Sequence, residues 1–307
     1  MARQYKFRRN RLFIPLWFLW SVLLFLSSSL YAEILSLPHA KLDGHFIQGG
    51  LVIGKTSPGN QVFFNNKAVR VSPEGIFLIG FHRDEPLQFS LKITSPEHTE
   101  RLDTSLNIKK RQYKIQRING LPPSKVSPVN PELRARIKKE QQLARQARTR
   151  DDERSDFMAP FIWPTIGPIS GVYGSQRILN GKPKWPHYGV DIAAPTGTEV
   201  RAPAGGVVTL AHPDMFYSGG TLIVDHGHGL SSAFLHLSKL RVKTGDKVKQ
   251  GDVIAEVGAT GRATGAHLDW RMNLFNRRID PQLLVPPMAE VLASTPEHSR
   301  TQNTQDK

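Results

Sequence analysis

Residues 198–211 read TEVRAPAGGVVTLA: short runs of valine and threonine broken by Pro203 and the Gly205–Gly206 pair. β-branched residues fit a pleated, half-buried surface, while glycine and proline mark turns, so the stretch predicts two strands and a tight connection. The same texture continues outward on both sides. Upstream lie ISGVYG (169–174) and GVDIAAP (189–195). Downstream come GGTLIVDHG (219–227), LSSAFLHLS (230–238), KVKQGDVIAEVG (247–258) and HLDWRM (267–272). Strands with turns every few residues predict a strand-rich β domain over 161–290. A polar tail over 291–307 is expected to be disordered.

Before this domain the chain changes character twice. From Phe46 to Thr94, short β-rich runs such as QVFF and IFLIGF alternate with the turn signals TSPGN, NNK and PEG. That spacing predicts a small β-sandwich domain over 33–118, a binding or spacer module with no clustering of chemistry-bearing residues. Over 119–160 a proline-punctuated stretch gives way to PELRARIKKEQQLARQARTRDDERSDF. Pro131 opens a helix there, and the thin stripe of Leu133, Ile137 and Leu143 predicts a solvated, charged linker helix. The fold class expected is thus mainly β.

At the N-terminus Arg3, Lys6, Arg8, Arg9 and Arg11 precede an apolar run from Leu12 to Leu26 and small or polar residues ending at Ala32. A basic head, a short apolar middle and a small residue at the cut read as a signal peptide over 1–32, or as an uncleaved anchor. Either way the bulk is expected to be exported, to a periplasm, with membrane contact only through that segment. The absence of cysteine leaves His, Asp and Glu as the metal ligands available. Of the formal +15 net charge, the leader contributes five basic and no acidic residues, so the remainder stays strongly basic. In an exported protein such charge suits anionic wall polymers or lipid head groups, and the lack of a basic recognition helix argues against nucleic acid.

The strand-rich domain gathers His187, Asp191, His236, His267 and Asp269. His187 and Asp191 are four apart with Gly189 between, and His267 and Asp269 two apart, so extended backbone would put each pair on one face. Imidazoles and carboxylates together suit a zinc site with proton-transfer groups.

GSQRILNGKPKWPHYGVDIAAPTGTEVRAPAGGVV (174–208), followed by FLHLS, VKTGDKVKQGDVIAEVG and ATGAHLDWRM in that order, resembles the M23 zinc peptidases of LytM and lysostaphin type. The resemblance spans about Ile169–Leu284. It implies an antiparallel β fold holding Zn2+ in a groove and cutting peptide cross-links of peptidoglycan. By position it makes His187 and Asp191 zinc ligands and His236 catalytic. The family's last motif, His-x-His, here reads His267-Leu268-Asp269, which makes His267 the second catalytic histidine and Asp269 the third ligand. A carboxylate oxygen is an ordinary zinc ligand, though it adds negative charge and is shorter than imidazole. Arg177 matches a groove-lining position and is a candidate substrate contact or a surface salt bridge. His212, His226 and His228 match no family ligand and read as structural.

Two readings stay open at this level: an exported zinc endopeptidase, and a silent wall binder or activator of an amidase. An envelope protein that regulates the site fits either. A biotinyl- or lipoyl-type carrier, suggested by the hairpin pattern of 242–258, lacks the lysine turn that such domains modify.

Overall fold

A computed structural model describes residues 32–95, 101–120 and 130–294. The leader expected over 1–32 lies almost wholly outside these residues. Among them no helix is long and apolar enough to cross a membrane.

The N-terminal part folds as two four-stranded antiparallel sheets. One takes β1 (Glu33–Leu37), β2 (Ala40–Gly44), β3 (Leu51–Thr56) and β6 (Ile76–Gly80) in that order. The other takes β5 (Lys67–Val69), β4 (Gln61–Phe64), β7 (Gln88–Thr94) and β8 (Arg101–Asn107). Alternation along each strand sends Leu42, Val52, Phe77 and Ile79 from the first sheet against Val62, Phe64, Phe89 and Leu91 from the second. Phe81 stacks on Phe89 at 4.7 Å between ring centres inside this layer. Strand β9 (Ile115–Ile118), at the end of the stretch read as sandwich, instead pairs in parallel with β11 (Gln176–Leu179) of the C-terminal part, and β12 (Lys182–Pro183) pairs on the other side of β11.

The C-terminal part is built on a large antiparallel sheet. Its strands run β10 (Ile169–Gly171), β13 (Val190–Ala193), β21 (His267–Leu274), β17 (Leu230–Leu237), β16 (Gly219–Asp225), β15 (Gly206–Met215) and β19 (Lys247–Val248), with β22 (Arg277–Ile279) paired to β21. A smaller sheet of β14 (Glu199–Arg201), β20 (Val253–Glu256) and β18 (Lys239–Leu240) stands apart from this path. Val200, Ile254 and Ala255 of the smaller sheet share one apolar core with Ile192, Leu222, Phe234, Leu268 and Trp270 of the larger. Because strand residues alternate between faces, that burial commits Asp191, His267, Asp269 and Arg271 to the opposite face.

The two parts are joined by more than a connector. Leu51 and Leu78 of the sandwich belong to the C-terminal core, and a β-carbon on Gly80 would come within 2.8 Å of the Ile279 side chain. Arg111 donates to the buried Asp280 carboxylate at 2.7 Å, which bridges 169 positions of sequence.

Helix α1 (Pro131–Gln146) begins where Pro131 predicts, with the Asn130 side chain accepting from the backbone of Glu132 and Leu133. It is not a free linker. Arg136 donates to Asp214 and Glu140 accepts from the Phe216 amide, while Ala144 and Ala147 at its end pack with Leu210, Ile223, Ala233 and Leu235. The thin leucine stripe misses this because the contact is made by alanines in the last turn and just beyond it. Helix α2 (Met288–Ser294) likewise runs into the tail expected to be disordered, and residues 295–307 lie outside the described ones.

Candidate functional site

Strand register brings the acidic residues together. Asp191 on β13 and Asp269 on β21 are direct partners across the antiparallel pair, and His267 sits opposite Ala193. Like charges placed directly opposite are unfavourable, so this juxtaposition calls for a cation. His187 lies not in the strand, as extended backbone from 187 to 191 would have it, but in the loop before it. Its amide donates to the Ser175 carbonyl, and its own carbonyl accepts from Gly174. From there its Nε2 stands 3.2 Å from Asp191 Oδ1.

His187, Asp191 and Asp269 each present one ligand atom, and the three lie within 4.8 Å of one another. His187 Nε2 and Asp191 Oδ1 are both buried without a hydrogen-bond partner. Two ligands about 2.0–2.1 Å from a tetrahedral zinc are about 3.3 Å apart, which is the spacing these two atoms have. The backbone makes room for the carboxylates: a β-carbon on Gly171 would fall 2.2 Å from Asp191 Oδ2, and one on Gly189 2.5 Å from Asp269 Oδ1. The donor set, its spacing and its two unpartnered atoms fit a zinc ion.

The third member differs from the other two in having a protein partner. Arg271 Nε donates to Asp269 Oδ1 at 2.9 Å, and its terminal nitrogen to Oδ2 at 2.5 Å. Burial pushes the Asp269 carboxyl up, but Arg271 and His187 outweigh it and hold the group well below the usual carboxylate range. The pair Asp269–Arg271 carries no net charge, as a neutral imidazole would. Arg271 was not singled out from the sequence, although the period of two in HLDWR puts it on the face of Asp269.

His236 reaches the site through an irregularity. Gly220 pairs with Leu237 but Leu222 pairs with Phe234, so Leu235 and His236 together oppose the single residue Thr221. His236 takes φ of +65°, a left-handed conformation unusual for a non-glycine residue, and its side chain is re-aimed by this bulge. Its ring lies 4.8 Å from that of His267. His236 Nδ1 meets the Thr260 carbonyl at 2.8 Å and His267 Nδ1 the Gly265 carbonyl at 2.9 Å. A carbonyl only accepts, so each Nδ1 carries the proton and each Nε2 is left as a base. His267 Nε2 is 3.8 Å from Asp191 Oδ1. Burial lowers the pKa of His236 and favours its neutral form.

The other histidines stand apart from this cluster. His226 is fully buried, with Nδ1 on the Gly205 carbonyl and Nε2 on the Ser232 hydroxyl. His228 packs against Phe157, and His212 caps the Asp214 amide. Arg177 lies on β11, paired with Gln116, and its side chain falls outside the described residues.

Residues 185–281 match the model of peptidase family M23. Peptidoglycan DD-endopeptidase ShyB of Vibrio cholerae is 39% identical over 116 residues, covering 37% of this chain and 26% of that protein. DD-carboxypeptidase/endopeptidase Mpg of Neisseria gonorrhoeae is 37% identical over 141 residues, 45% of this chain and 31% of that protein. The chain therefore spans about a quarter to a third of the length of these relatives. A crystal structure from Pseudomonas aeruginosa assigned to peptidase M23 is 31% identical, covers 78% of this chain and 94% of its own, and superposes with a TM-score of 0.60. That coverage extends well beyond 185–281, so more than the segment matched by the family model is shared. With its antiparallel sheets and its likeness along most of the Pseudomonas protein, this chain belongs to peptidase family M23.

Proposed function

We propose that this chain is a zinc metalloendopeptidase that hydrolyses peptide cross-links of peptidoglycan outside the cytoplasm. The observation that carries the reading is the pairing of two imidazoles, each with Nδ1 anchored on a carbonyl, beside a triad with two unpartnered donor atoms. His187, Asp191 and Asp269 would hold zinc. When bound, zinc supplies a Lewis acid that polarises a scissile carbonyl and lowers the pKa of water.

The chain's own residues do the rest. His236 and His267, each with Nδ1 anchored on a carbonyl and Nε2 free, take the proton of the attacking water and return one to the leaving amine. Once protonated, either ring donates to the oxyanion that develops on the former carbonyl. Arg271 fixes the rotamer of Asp269 and offsets its charge. The names of the relatives point to D,D cross-links, and the basic head followed by an apolar run supports export.

One observation favours a second reading: both oxygens of Asp269 accept from Arg271. A guanidinium that substituted for the metal would leave a silent wall binder. Purified peptidoglycan digested with zinc-supplemented and chelator-treated protein separates the two. Release of uncrosslinked muropeptides that depends on zinc supports the hydrolase, and unchanged peptidoglycan in both digests supports the binder.

A further inference from the structure

Beyond Asp269 the same sheet face carries positive charge that the protein does not answer. Asp269, Arg271 and Asn273 follow one another at every second residue of β21, roughly 6.6–6.8 Å apart. Arg278 on β22 pairs with Asn273 in register and donates to its Oδ1 at 2.5 Å. Arg148 enters from the opposite side. It follows Ala147, which packs with Ala233 and Leu235, and these two β17 residues are the register partners of Arg271 and Asp269. Arg148 Nε is buried without a hydrogen-bond partner.

Of these three guanidiniums only Arg271 has a carboxylate. Among the described residues neither Arg148 nor Arg278 forms an ion pair; Arg278 lies 5.6 Å over the Tyr188 ring. Burial first and then neighbouring arginines push Arg278 down to about 9, with Arg148 and Arg271 the neighbours, and Arg148 to about 10, with Arg271 and Arg145. Partly buried, mutually repelling cations are unfavourable unless an anion completes them.

We propose that Arg148, Arg271 and Arg278 form a subsite for a carboxylate of the peptide substrate, set along β21 from the metal ligands. The inference rests on the hydrolase reading for the identity of the peptide. An extended peptide advances about 3.3–3.6 Å per residue, so an anion held at Arg271 to Arg278 belongs to a residue roughly two to four positions from the bond cut beside Asp269. Guanidinium suits this task because its planar fork matches a carboxylate. Stem peptides of peptidoglycan carry such free carboxylates.

The test uses a synthetic cross-linked peptide dimer in two forms, with its carboxylates free or amidated. Calorimetry with the full-length His236→Ala protein, whose turnover of the probe is expected to be slowed about 10²-fold or more, reads the two affinities. The free acid is expected to bind at least about tenfold tighter, as charge-assisted hydrogen bonds do. Arg148→Gln together with Arg278→Gln should shrink that ratio to below about twofold, with Arg148→Lys and Arg278→Lys recovering part of it and circular dichroism reporting the fold. Equal affinity for the two forms, including no measurable binding of either, overturns the subsite, as does a ratio untouched by the glutamines. Hydrolysis of both forms at equal kcat/KM also overturns the subsite while leaving the hydrolase intact. A retained preference for the acid, together with a wild-type protein that cuts neither form, upholds the subsite and overturns the hydrolase.

Discussion

Arg271 grips Asp269 through two nitrogens, with its Nε 2.9 Å from one carboxylate oxygen and its terminal nitrogen 2.5 Å from the other. This ion pair, two residues apart on one strand face, turns a substitution that adds negative charge to the proposed metal site into one that leaves the charge balance of a histidine. It also predicts how the site responds when either partner changes.

Arg271→Met should leave Asp269 buried and uncompensated. Breaking a buried pair from one side costs about 3–5 kcal/mol, so urea unfolding of the metal-free protein should show a loss of that order. Zinc binding should weaken about 10–100-fold, the usual effect of removing a group that orients a metal ligand, measured by competition with a chromophoric chelator. Unchanged zinc affinity would leave the pair without a role in the site.

Asp269→His recreates the His-x-His pattern and should nevertheless weaken zinc binding. The longer ring must fit where a β-carbon on Gly189 would already approach Asp269 Oδ1 to 2.5 Å, and it faces the now unpaired Arg271. Adding Arg271→Met to Asp269→His should restore part of the affinity, since the two changes remove the charge conflict together. A gain of zinc and of hydrolysis in the single variant, from a wild type with neither, would mark the site as a silenced one.

His236→Ala and His267→Ala should each keep zinc and lose hydrolysis by on the order of 10²-fold or more, the scale of a general base or an oxyanion donor. Chromatography of peptidoglycan digests reads the activity and elemental analysis the metal. Full activity in both variants would remove the imidazoles from the chemistry.

His226 sets an acid-side limit on stability. Burial lowers its folded pKa to about 4, against about 6.5 when unfolded. A histidine kept neutral in the fold contributes stability that is fully present above the unfolded value and declines as pH falls towards the folded one. The decline is about 1.4 kcal/mol per pH unit between about 6.5 and 4. His226→Gln keeps an acceptor towards the Ser232 hydroxyl without titrating, so its stability deficit relative to wild type, read by urea unfolding, should narrow from pH 7 to pH 4.5. A constant deficit would contradict this.

Much of the site is legible in the sequence because a strand repeats every two residues: His267 and Asp269 share a face for that reason, and the register then sets Asp269 opposite Asp191. Four features are not legible. His187 reaches Asp191 from a loop, through backbone bonds to Ser175 and Gly174 that no local pattern announces. His236 depends on a bulge whose extra residue is defined only by pairing with β16. The docking of α1 rests on Ala144 and Ala147, residues too small to form a visible apolar stripe, and the joint between the two parts on Arg111 and Asp280, which lie far apart in the chain. In each case the missing information is tertiary.

The central claim is that His187, Asp191 and Asp269 are the ligands of a zinc ion. Elemental analysis of the purified full-length chain, beside its Asp269→Ala variant, tests it most directly. The account predicts about one zinc per chain in the wild type and essentially none in the variant; no zinc in the wild type, or an undiminished zinc content in Asp269→Ala, would contradict it.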